Sequence, residues 1–322
     1  MIRRIVLLVT IFILGFSTPA LAAEVGTGKI EGQIISETDG GSSVVGQEVT
    51  LVIYLDDAEV STAETEADDE GKFSFDNLSV GSGYGYQVKI NYQSADYYSD
   101  WLIFTEGKTT RFAEVFVYDA TLSDEAVKVA MAHTIIYVGE GSLEVKEYLV
   151  FVHESDRTYI GPTKDGQGGT LQLHLPSGAT EVQLDMGLMD CCVSSNEEGF
   201  IETMPLMPGS REVAYSFKVA YDSGAYTFYQ KVNYPLSKLD ILIQGEGIEV
   251  VDGKLTMGAP LDIGGIMFNH LKGQDFTRGD TLVIQLSGLP QANQVGTMIW
   301  WTVLTLVALI GGLAVVYMRR RK

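Results

Sequence analysis

The sequence predicts an all-β protein: two extracytoplasmic β-sandwich domains plus one C-terminal transmembrane helix. Short runs of alternating apolar and polar residues recur between Gly28 and Pro290, rich in Val, Ile, Tyr, Phe and Thr, the residue types that strands favour. Clusters of Gly, Asp and Ser separate these runs and predict turns. Outside the two apolar ends of the chain, no long stretch repeats with the helical period of 3.6 residues.

The N-terminal end predicts export. Arg3 and Arg4 precede the apolar residues 5–16, and the small-residue pattern Ala20-Leu21-Ala22 follows, which is the order of parts in a secretory signal peptide. We therefore predict a signal peptide over residues 1–22. An uncleaved N-terminal anchor is the alternative, although the apolar run is shorter than the roughly 20 residues that span a bilayer.

The C-terminal end predicts a membrane anchor. Residues 298–318 contain no charged side chain, and residues 319–322 are Arg-Arg-Arg-Lys. A stretch of this length spans a bilayer as a helix, and the basic tail places residues 319–322 in the cytoplasm by the positive-inside rule. We predict a single-pass protein of the plasma membrane with its N-terminal bulk outside the cytoplasm. A buried helix of a soluble core is the alternative.

The charge of the chain excludes several function classes. The chain has 22 basic and 42 acidic residues, a net charge of −20. Leaving aside the two basic residues of the signal and the four of the tail, 16 basic residues face 42 acidic ones, or −26. Such a surface disfavours nucleic acid and anionic lipid. Two cysteines exclude a disulfide-dense scaffold and a multi-thiolate metal domain.

Alternation divides the exported part into two predicted domains, residues 28–119 and 126–290. The division follows the loss of alternation after Tyr118. Residues 124–132 fit either a short helix or a linker that runs into a strand. We predict strands at 30–35, 48–54, 72–75, 86–92 and 111–118 in the first domain. In the second we predict strands at 143–152, 181–186, 212–220, 225–232, 238–243 and 281–286, in one large sandwich.

The first domain resembles a known family of accessory modules. The resemblance rests on a spaced pattern of Gly28, Ile30, Gly32, Gly46, Val49, Leu51, Thr65, Asp68, Gly71, Phe73, Phe75 and Leu78. This pattern is similar to that of carboxypeptidase regulatory-like domains, which are transthyretin-like or starch-binding-like β-sandwiches of seven strands. The resemblance implies the fold and an accessory role, with no peptidase. The residues agree with it, because Gly71 supplies a tight turn and Phe73 and Phe75 share one face at period two.

The second domain resembles a poorly characterised bacterial group in which such a sandwich is joined to a membrane-proximal β-domain. The resemblance rests on residues 147–151, 157–161, 175–179 and 205–209. It implies no catalytic residues.

Aromatic residues supply the main candidate binding site. Tyr97, Tyr98 and Trp101 follow one another closely, and aromatic rings stack on sugars or anchor protein interfaces. We predict that these three residues bind carbohydrate or protein. The alternative is that they only cover an edge of the sandwich.

Two adjacent thiols form the second candidate site. Cys191 and Cys192 lie close to Met186 and Met189, and thiols with thioethers suit a soft ion such as Cu(I). A strained vicinal disulfide or an intermolecular disulfide is also open, because export permits oxidation. The remaining interpretation is two half-buried thiols in a loop.

No motif of the sequence predicts catalysis. The four histidines lack metal-ligand spacing, and no nucleophile elbow or phosphate loop is present. We therefore predict a non-enzymatic binding or scaffolding protein without a cofactor. The predicted partners are other envelope or membrane proteins, cell-surface carbohydrate as an alternative, and the lipid bilayer through residues 298–318. A redox or soft-metal delivery accessory that uses Cys191 and Cys192 is the second alternative.

Overall fold

The structure is a computed structural model, and it describes residues 27–164, 167–245, 249–251 and 255–290. The described part is nearly all β, as predicted. Within it, no helix has the length and apolar character needed to cross a bilayer. The predicted signal peptide (1–22), transmembrane helix (298–318) and basic tail (319–322) lie outside the described residues.

Strands follow one another along the whole described chain. In the N-terminal part they are β1 (Thr27–Ser36), β2 (Glu48–Leu55), β3 (Ala58–Glu66), β4 (Lys72–Ser79), β5 (Tyr84–Tyr92), β6 (Ala95–Tyr98) and β7 (Thr110–Val117). They continue as β8 (Ala120–Thr121), β9 (Val127–Gly139), β10 (Ser142–His153), β11 (Thr158–Tyr159), β12 (Thr163–Lys164), β13 (Gln167–Gly168), β14 (Leu171–His174), β15 (Thr180–Leu184), β16 (Val193–Asn196), β17 (Gly199–Glu202) and β18 (Gly209–Ala220). The last are β19 (Ala225–Lys231), β20 (Leu236–Gln244), β21 (Glu249–Val251), β22 (Thr256–Met257), β23 (Leu261–Ile263), β24 (Ile266–Phe276) and β25 (Thr281–Ser287).

The described residues form two compact units that are interleaved in sequence. Unit 1 comprises residues 27–34, 45–90 and 98–115. Unit 2 comprises residues 35–44, 91–97 and the chain from 116 onward. The domain limits predicted from the sequence, 28–119 and 126–290, stay predictions.

Unit 1 is built from two antiparallel sheets that face each other. One has the order β4-β1-β7 and the other β3-β2-β5-β6, of which β6 contributes only Tyr98 to unit 1. The Tyr86 hydroxyl of β5 donates to the carbonyl of Ser79 in β4 at 2.6 Å, so that a hydrogen bond joins the two sheets. Each sheet therefore buries one face against the other, which is the arrangement of a β-sandwich.

The turn before β4 has the structure that the sequence predicts. Gly71 adopts φ +75°, a conformation that glycine reaches without strain. The Asp68 carboxylate accepts hydrogen bonds from the amides of Glu70 and Lys72, which lowers its pKa and closes the turn. Phe73 and Phe75 are both buried, in contact across 6.1 Å between ring centroids, so the predicted inward face is confirmed.

Unit 2 is organised around one large sheet. Its order is β15-β18-β10-β9-β20-β24-β22, and β23 pairs with β24 at the edge. The pairings are antiparallel except between β9 and β20, which run parallel. Strand β10 lies near the centre, between β9 and β18, and alternates buried and partly exposed residues along its length.

Two smaller sheets cover the large sheet and complete the core of unit 2. They have the orders β14-β17-β16 and β19-β25-β21. Phe200 of β17 contacts Tyr215 of β18 with ring centroids 5.1 Å apart. One continuous apolar cluster includes residues of all three sheets, for example Val145, Leu173 and Ile284. This second layered arrangement agrees with the predicted sandwich.

The structure decides between the two alternatives for residues 124–132, and it contains one strand, β3, that the sequence did not predict. Residues 124–132 contain no helix, because β9 begins at Val127 and a short linker precedes it. The sequence prediction has no strand at β3, Ala58–Glu66, because most of its side chains are exposed and so its apolar signal is weak.

Candidate functional site

The outward face of β5 in unit 1 is the base of the candidate site. Alternation along the strand turns Tyr86, Val88 and Ile90 inward, where they are buried. Gly85, Gln87 and Lys89 therefore lie on the opposite face of the sheet. The neighbouring strand β2 places Tyr54 beside Gly85, Val52 beside Gln87 and Thr50 beside Lys89.

Trp101 lies on this face and is held in position by its neighbours. The backbones of Leu102 and Tyr86 exchange two hydrogen bonds of 2.9 Å, which fix the segment that carries the indole. The indole contacts the Tyr54 ring with centroids 4.7 Å apart and planes tilted by 48°. A Cβ atom at Gly85 would lie 2.2 Å from Trp101 Cζ2, so only glycine leaves room for the ring. Trp101 nevertheless remains 47% exposed.

Tyr98 provides a second exposed ring on the same sheet. It is 51% exposed, and the Lys89 ammonium lies 5.9 Å from the ring centroid. Lys89 follows Gly85 by four residues, or roughly 13 Å along a strand. Tyr54 and Trp101 thus lie near one end of the strand and Tyr98 near the other. We call Tyr54, Tyr98 and Trp101 the aromatic platform.

Polar side chains occupy the space between the two ends of the platform. Gln87 donates from its amide to the Ser99 carbonyl at 3.1 Å, which orients the side chain. Thr50, beside Lys89 on one side, faces Glu64 of β3 on the other. The face therefore combines apolar ring surface with hydroxyl, amide and charged groups, the composition of a surface that binds a polar ligand with apolar faces.

Tyr97 does not belong to the platform, which corrects the predicted set. Its side chain is only 2% exposed. The hydroxyl donates to the Tyr118 carbonyl at 3.0 Å and lies 2.6 Å from the Thr158 hydroxyl oxygen, both within unit 2. Burial raises the pKa of this phenol. Successive strand residues face opposite sides, so Tyr97 is structural while Tyr98 is exposed.

Sequence reasoning missed Tyr54 and Gly85. Tyr54 lies in the predicted strand 48–54, and its period-two phase relative to the buried Val49 and Leu51 is a signal of an outward position. Gly85 carries no local signal, because the contact with Trp101 joins residues that are distant in sequence.

The second predicted site is a short 3₁₀ turn, Asp190–Cys192, in unit 2. Cys191 is exposed, Cys192 is half-buried, and both are free thiols. A hydrogen bond between the two thiols raises the pKa of Cys192. The predicted soft ligands Met186 and Met189 are 43% and 48% exposed. In the described part of the chain, no group of three or more His, Cys, Asp or Glu side chains is arranged to hold a metal ion.

A buried ion pair lies near this turn. The Thr203 hydroxyl and amide both donate to the Cys192 carbonyl. The preceding residue, Glu202, is fully buried and accepts a hydrogen bond from Arg211. Burial raises the pKa of Glu202 to about 7, although the charge of Arg211 opposes the shift.

A second buried carboxyl lies in the core of unit 2. Glu147 of β10 is 5% exposed and accepts a hydrogen bond of 2.9 Å from the Thr134 hydroxyl. Burial raises its pKa to about 8, so the group is mostly neutral at pH 7. The adjoining cavity has a volume of about 20 Å³, room for about one water molecule. Glu147 thus faces no space that a substrate could enter there.

Two solved structures show a distant likeness to the chain. No protein-family model and no curated protein matches the chain. One similar solved structure is the single B repeat unit (B1) of the collagen-binding surface protein of Staphylococcus aureus. It is 15% identical, with 57% of this chain and 100% of that chain covered and a TM-score of 0.21.

A second similar structure is the major pilin SpaA of Corynebacterium diphtheriae. It is 10% identical, with 80% of this chain and 57% of the pilin covered and a TM-score of 0.17. The match thus spans little more than half the length of the pilin.

Proposed function

We propose that this chain is a non-enzymatic, membrane-anchored binding protein that acts outside the cytoplasm, and that unit 1 recognises its ligand on the aromatic platform. The observation that carries the proposal is the indole of Trp101, half exposed yet fixed over Gly85 and against Tyr54. An exposed aromatic ring that is already ordered loses little conformational entropy on binding. The isolated bridge between Leu102 and Tyr86 holds the segment that carries this ring against the sheet.

The platform fits an uncharged, extended glycan best. Aromatic rings bind the apolar faces of sugar rings, and the hydroxyl and amide groups of Thr50 and Gln87 can pair with sugar hydroxyls. The tilt of 48° between Tyr54 and Trp101 gives a stepped surface rather than a flat one, which suits a single twisted chain. The net charge of −20 disfavours acidic glycans.

The test measures oligosaccharide binding by the full chain in detergent or nanodiscs, first on a glycan array and then by calorimetry. The variant Trp101→Ala should weaken binding at least tenfold, because it removes the ring that stacks on the sugar. Tyr229→Ala is a matched control, since Tyr229 is a 60% exposed aromatic of unit 2 and should bind normally after substitution. Thermal melting of Trp101→Ala shows whether unit 1 still folds, so that a loss of binding can be distinguished from a loss of folding.

Failure of every glycan to bind the folded chain would contradict the carbohydrate proposal. If a membrane or envelope protein were instead crosslinked at position 101, and Trp101→Ala abolished that crosslink, the platform would be a protein-binding surface. In that case the scaffolding function would remain and the ligand class would change.

The location of the protein, anchored in the membrane with both units outside the cytoplasm, is part of the same proposal. It rests on the sequence pattern of residues 1–22, 298–318 and 319–322. The similarity of residues 28–119 to carboxypeptidase regulatory-like domains supports an accessory, non-enzymatic role. Protease treatment of intact cells should digest both units and spare the tail, whereas full protection would contradict the proposed orientation.

A second candidate function uses the thiol pair. The proposal is supported by the two thiols, Cys191 and Cys192, which are adjacent in sequence and free. Two adjacent thiols near Met186 and Met189 are the type of ligand that Cu(I) prefers. Competition with a Cu(I) chelator should show one bound ion in the wild type and none in the double variant Cys191→Ser, Cys192→Ser. Equal binding by both proteins would rule out this function.

A further inference from the structure

The hairpin formed by β23 and the start of β24 exposes apolar side chains at its tip. Ile263 and Ile266 face each other across a two-residue turn. The turn residues Gly264 and Gly265 have φ of +64° and +86°, the conformation of a tight hairpin turn that glycine favours. Leu261, Ile263 and Ile266 are 36%, 50% and 41% exposed. We call these three residues the apolar tip.

The apolar tip is a cluster of exposed apolar side chains on an acidic protein. The one charged side chain within it, Asp262, accepts a hydrogen bond of 2.8 Å from the Gly265 amide and so serves the turn. Clustered exposed apolar side chains indicate a surface that contacts a partner or a membrane.

Strand pairing shows at which end of unit 2 the tip lies. Phe268, just after the tip, pairs with Gln244 at the end of β20. β20 runs parallel to β9, with Ile243 beside Ile136. The backbone amide of Val138 donates to the Gln244 side chain at 3.3 Å. The tip therefore lies at the end of the large sheet where β9 and β20 finish.

The chain leaves unit 2 at the same end. The Pro290 carbonyl accepts hydrogen bonds from the Tyr221 hydroxyl at 2.5 Å and from the Gly141 amide at 3.4 Å. Gly141 lies in the turn directly after β9, and the Tyr221 hydroxyl oxygen also lies close to the carbonyl oxygen of Gly139, the last residue of that strand. The apolar tip and Pro290, the last described residue, therefore both lie at the end of the large sheet where β9 finishes.

The sequence then leads to the predicted anchor within a short distance. Residues 291–297 separate Pro290 from the predicted transmembrane segment at 298. Eight steps of chain reach at most about 28 Å when fully extended. The end of unit 2 that carries the apolar tip is therefore held close to the bilayer if residues 298–318 span it.

We propose that the apolar tip inserts into the interface of the lipid bilayer beside the transmembrane segment and gives unit 2 a second attachment to the membrane. The inference rests on the anchor that the proposed function includes. The partner is a zwitterionic lipid surface, because Glu140 and Asp222, both exposed in turns at this end, would repel anionic headgroups. Unit 2 would then be attached to the membrane twice, by the chain that leads to the predicted transmembrane segment and by the apolar tip. These two attachments would fix the orientation of the unit on the membrane.

The experiment places a nitroxide label on the full chain in phosphatidylcholine nanodiscs. Cys191→Ser and Cys192→Ser remove the native thiols, and Ile263→Cys provides the label site. Ser210→Cys is the matched control, because Ser210 is exposed at the start of β18, which pairs with Val152 at the opposite end of the sheet. Power saturation then compares collisions with oxygen, which concentrates in lipid, and with an aqueous nickel complex.

We expect the label at 263 to collide several-fold more with oxygen than with nickel, and the label at 210 to show the reverse. Ile266→Cys, on the other strand of the hairpin, should repeat the result and guards against a local effect of one substitution. Equal nickel access at 263 and 210 would overturn the proposal. Shielding of position 263 from both reagents would overturn it in favour of a protein partner, including a second copy of this chain.

A chain that does not enter nanodiscs would overturn the proposal too, because the proposal requires that residues 298–318 span the bilayer. Failure of the tip leaves glycan binding by the platform unchanged. The two proposals therefore fail separately.

Discussion

The two units differ in the polar groups that they bury. Among the described residues of unit 1, Ser99 is the only polar or charged residue with a buried side chain, while the exposed rings of this unit include the indole of Trp101. Unit 2 buries the carboxyls of Glu147 and Glu202. An exposed ring weakens solubility but offers a ligand surface, whereas a buried carboxyl weakens folding and makes it depend on pH. We therefore expect ligand binding to map to unit 1 and pH-dependent stability to map to unit 2.

The largest effect is expected from Glu147→Gln in unit 2. The folded-state pKa of about 8 lies above the ordinary value of 4.5, so ionisation opposes folding. The penalty begins as pH rises above 4.5, grows through neutral pH and levels off above 8. Its full size is on the order of 5 kcal/mol. Glutamine cannot ionise, so this variant should be much more stable than wild type at pH 9 and slightly less stable at pH 5.

Urea unfolding of the full chain at pH 5 and pH 9 measures this difference. Glu144→Gln is the matched control, because Glu144 lies on the same strand with a side chain that is 45% exposed. The control should change stability little at either pH. If Glu147→Gln were no more stable than wild type at pH 9, the carboxyl would have another stabilising partner in its charged form.

The next effect is expected from Arg211→Met. The Arg211 side chain is the ion-pair partner of the fully buried Glu202, whose Oε2 has no hydrogen-bond partner among the described residues. Removing the guanidinium leaves a buried carboxylate uncompensated, which costs about 3 kcal/mol. The loss should be large at pH 8.5 and much smaller at pH 5.5, because protonation of Glu202 relieves it.

Thermal melting at the two pH values checks this prediction. A loss of equal size at both would show that Arg211 stabilises unit 2 by packing rather than by charge. The double variant Arg211→Met, Glu202→Gln should recover most of the stability at pH 8.5, since no charge is then buried.

A smaller effect, on binding rather than folding, is expected from Gly85→Ala in unit 1. The added Cβ would overlap the indole of Trp101, so the ring must leave its place while the sheet can remain folded. We expect glycan affinity to fall about tenfold, equivalent to about 1.4 kcal/mol. With Trp300 and Trp301 replaced by Phe, acrylamide quenching of Trp101 should increase. Unchanged affinity with a displaced ring would show that the platform does not bind the glycan.

The strand pattern could be predicted from the sequence because its signal is local. The predicted strands 48–54 and 225–232 match β2 and β19 closely, since alternation and turn residues mark both. β3 could not be predicted in this way, because an exposed edge strand has no buried face to produce alternation.

The sites could be predicted only in part. Tyr98 and Trp101 are exposed as a binding role requires, but their support by Tyr54 and Gly85 depends on strand pairing that no local pattern encodes. The sequence does carry a signal for Glu147. It occupies the inward phase of a strand in which Leu143, Val145 and Leu149 are buried, so a carboxyl at that position predicts a shifted pKa.

The smallest effect is expected from substitutions of two tyrosines that are adjacent in sequence, Tyr97 in unit 2 and Tyr98 in unit 1. Tyr97→Phe removes a buried hydroxyl that bonds the Tyr118 carbonyl and the Thr158 hydroxyl, and should cost unit 2 about 1 kcal/mol. Tyr98→Phe keeps the exposed ring near Lys89 and should leave stability unchanged. Urea unfolding of the two variants checks both expectations. Because the substitutions are chemically identical, a destabilised Tyr98→Phe or an unaffected Tyr97→Phe would mean that the strand phase between residues 97 and 98 is reversed. The platform would then lose one of its two ends.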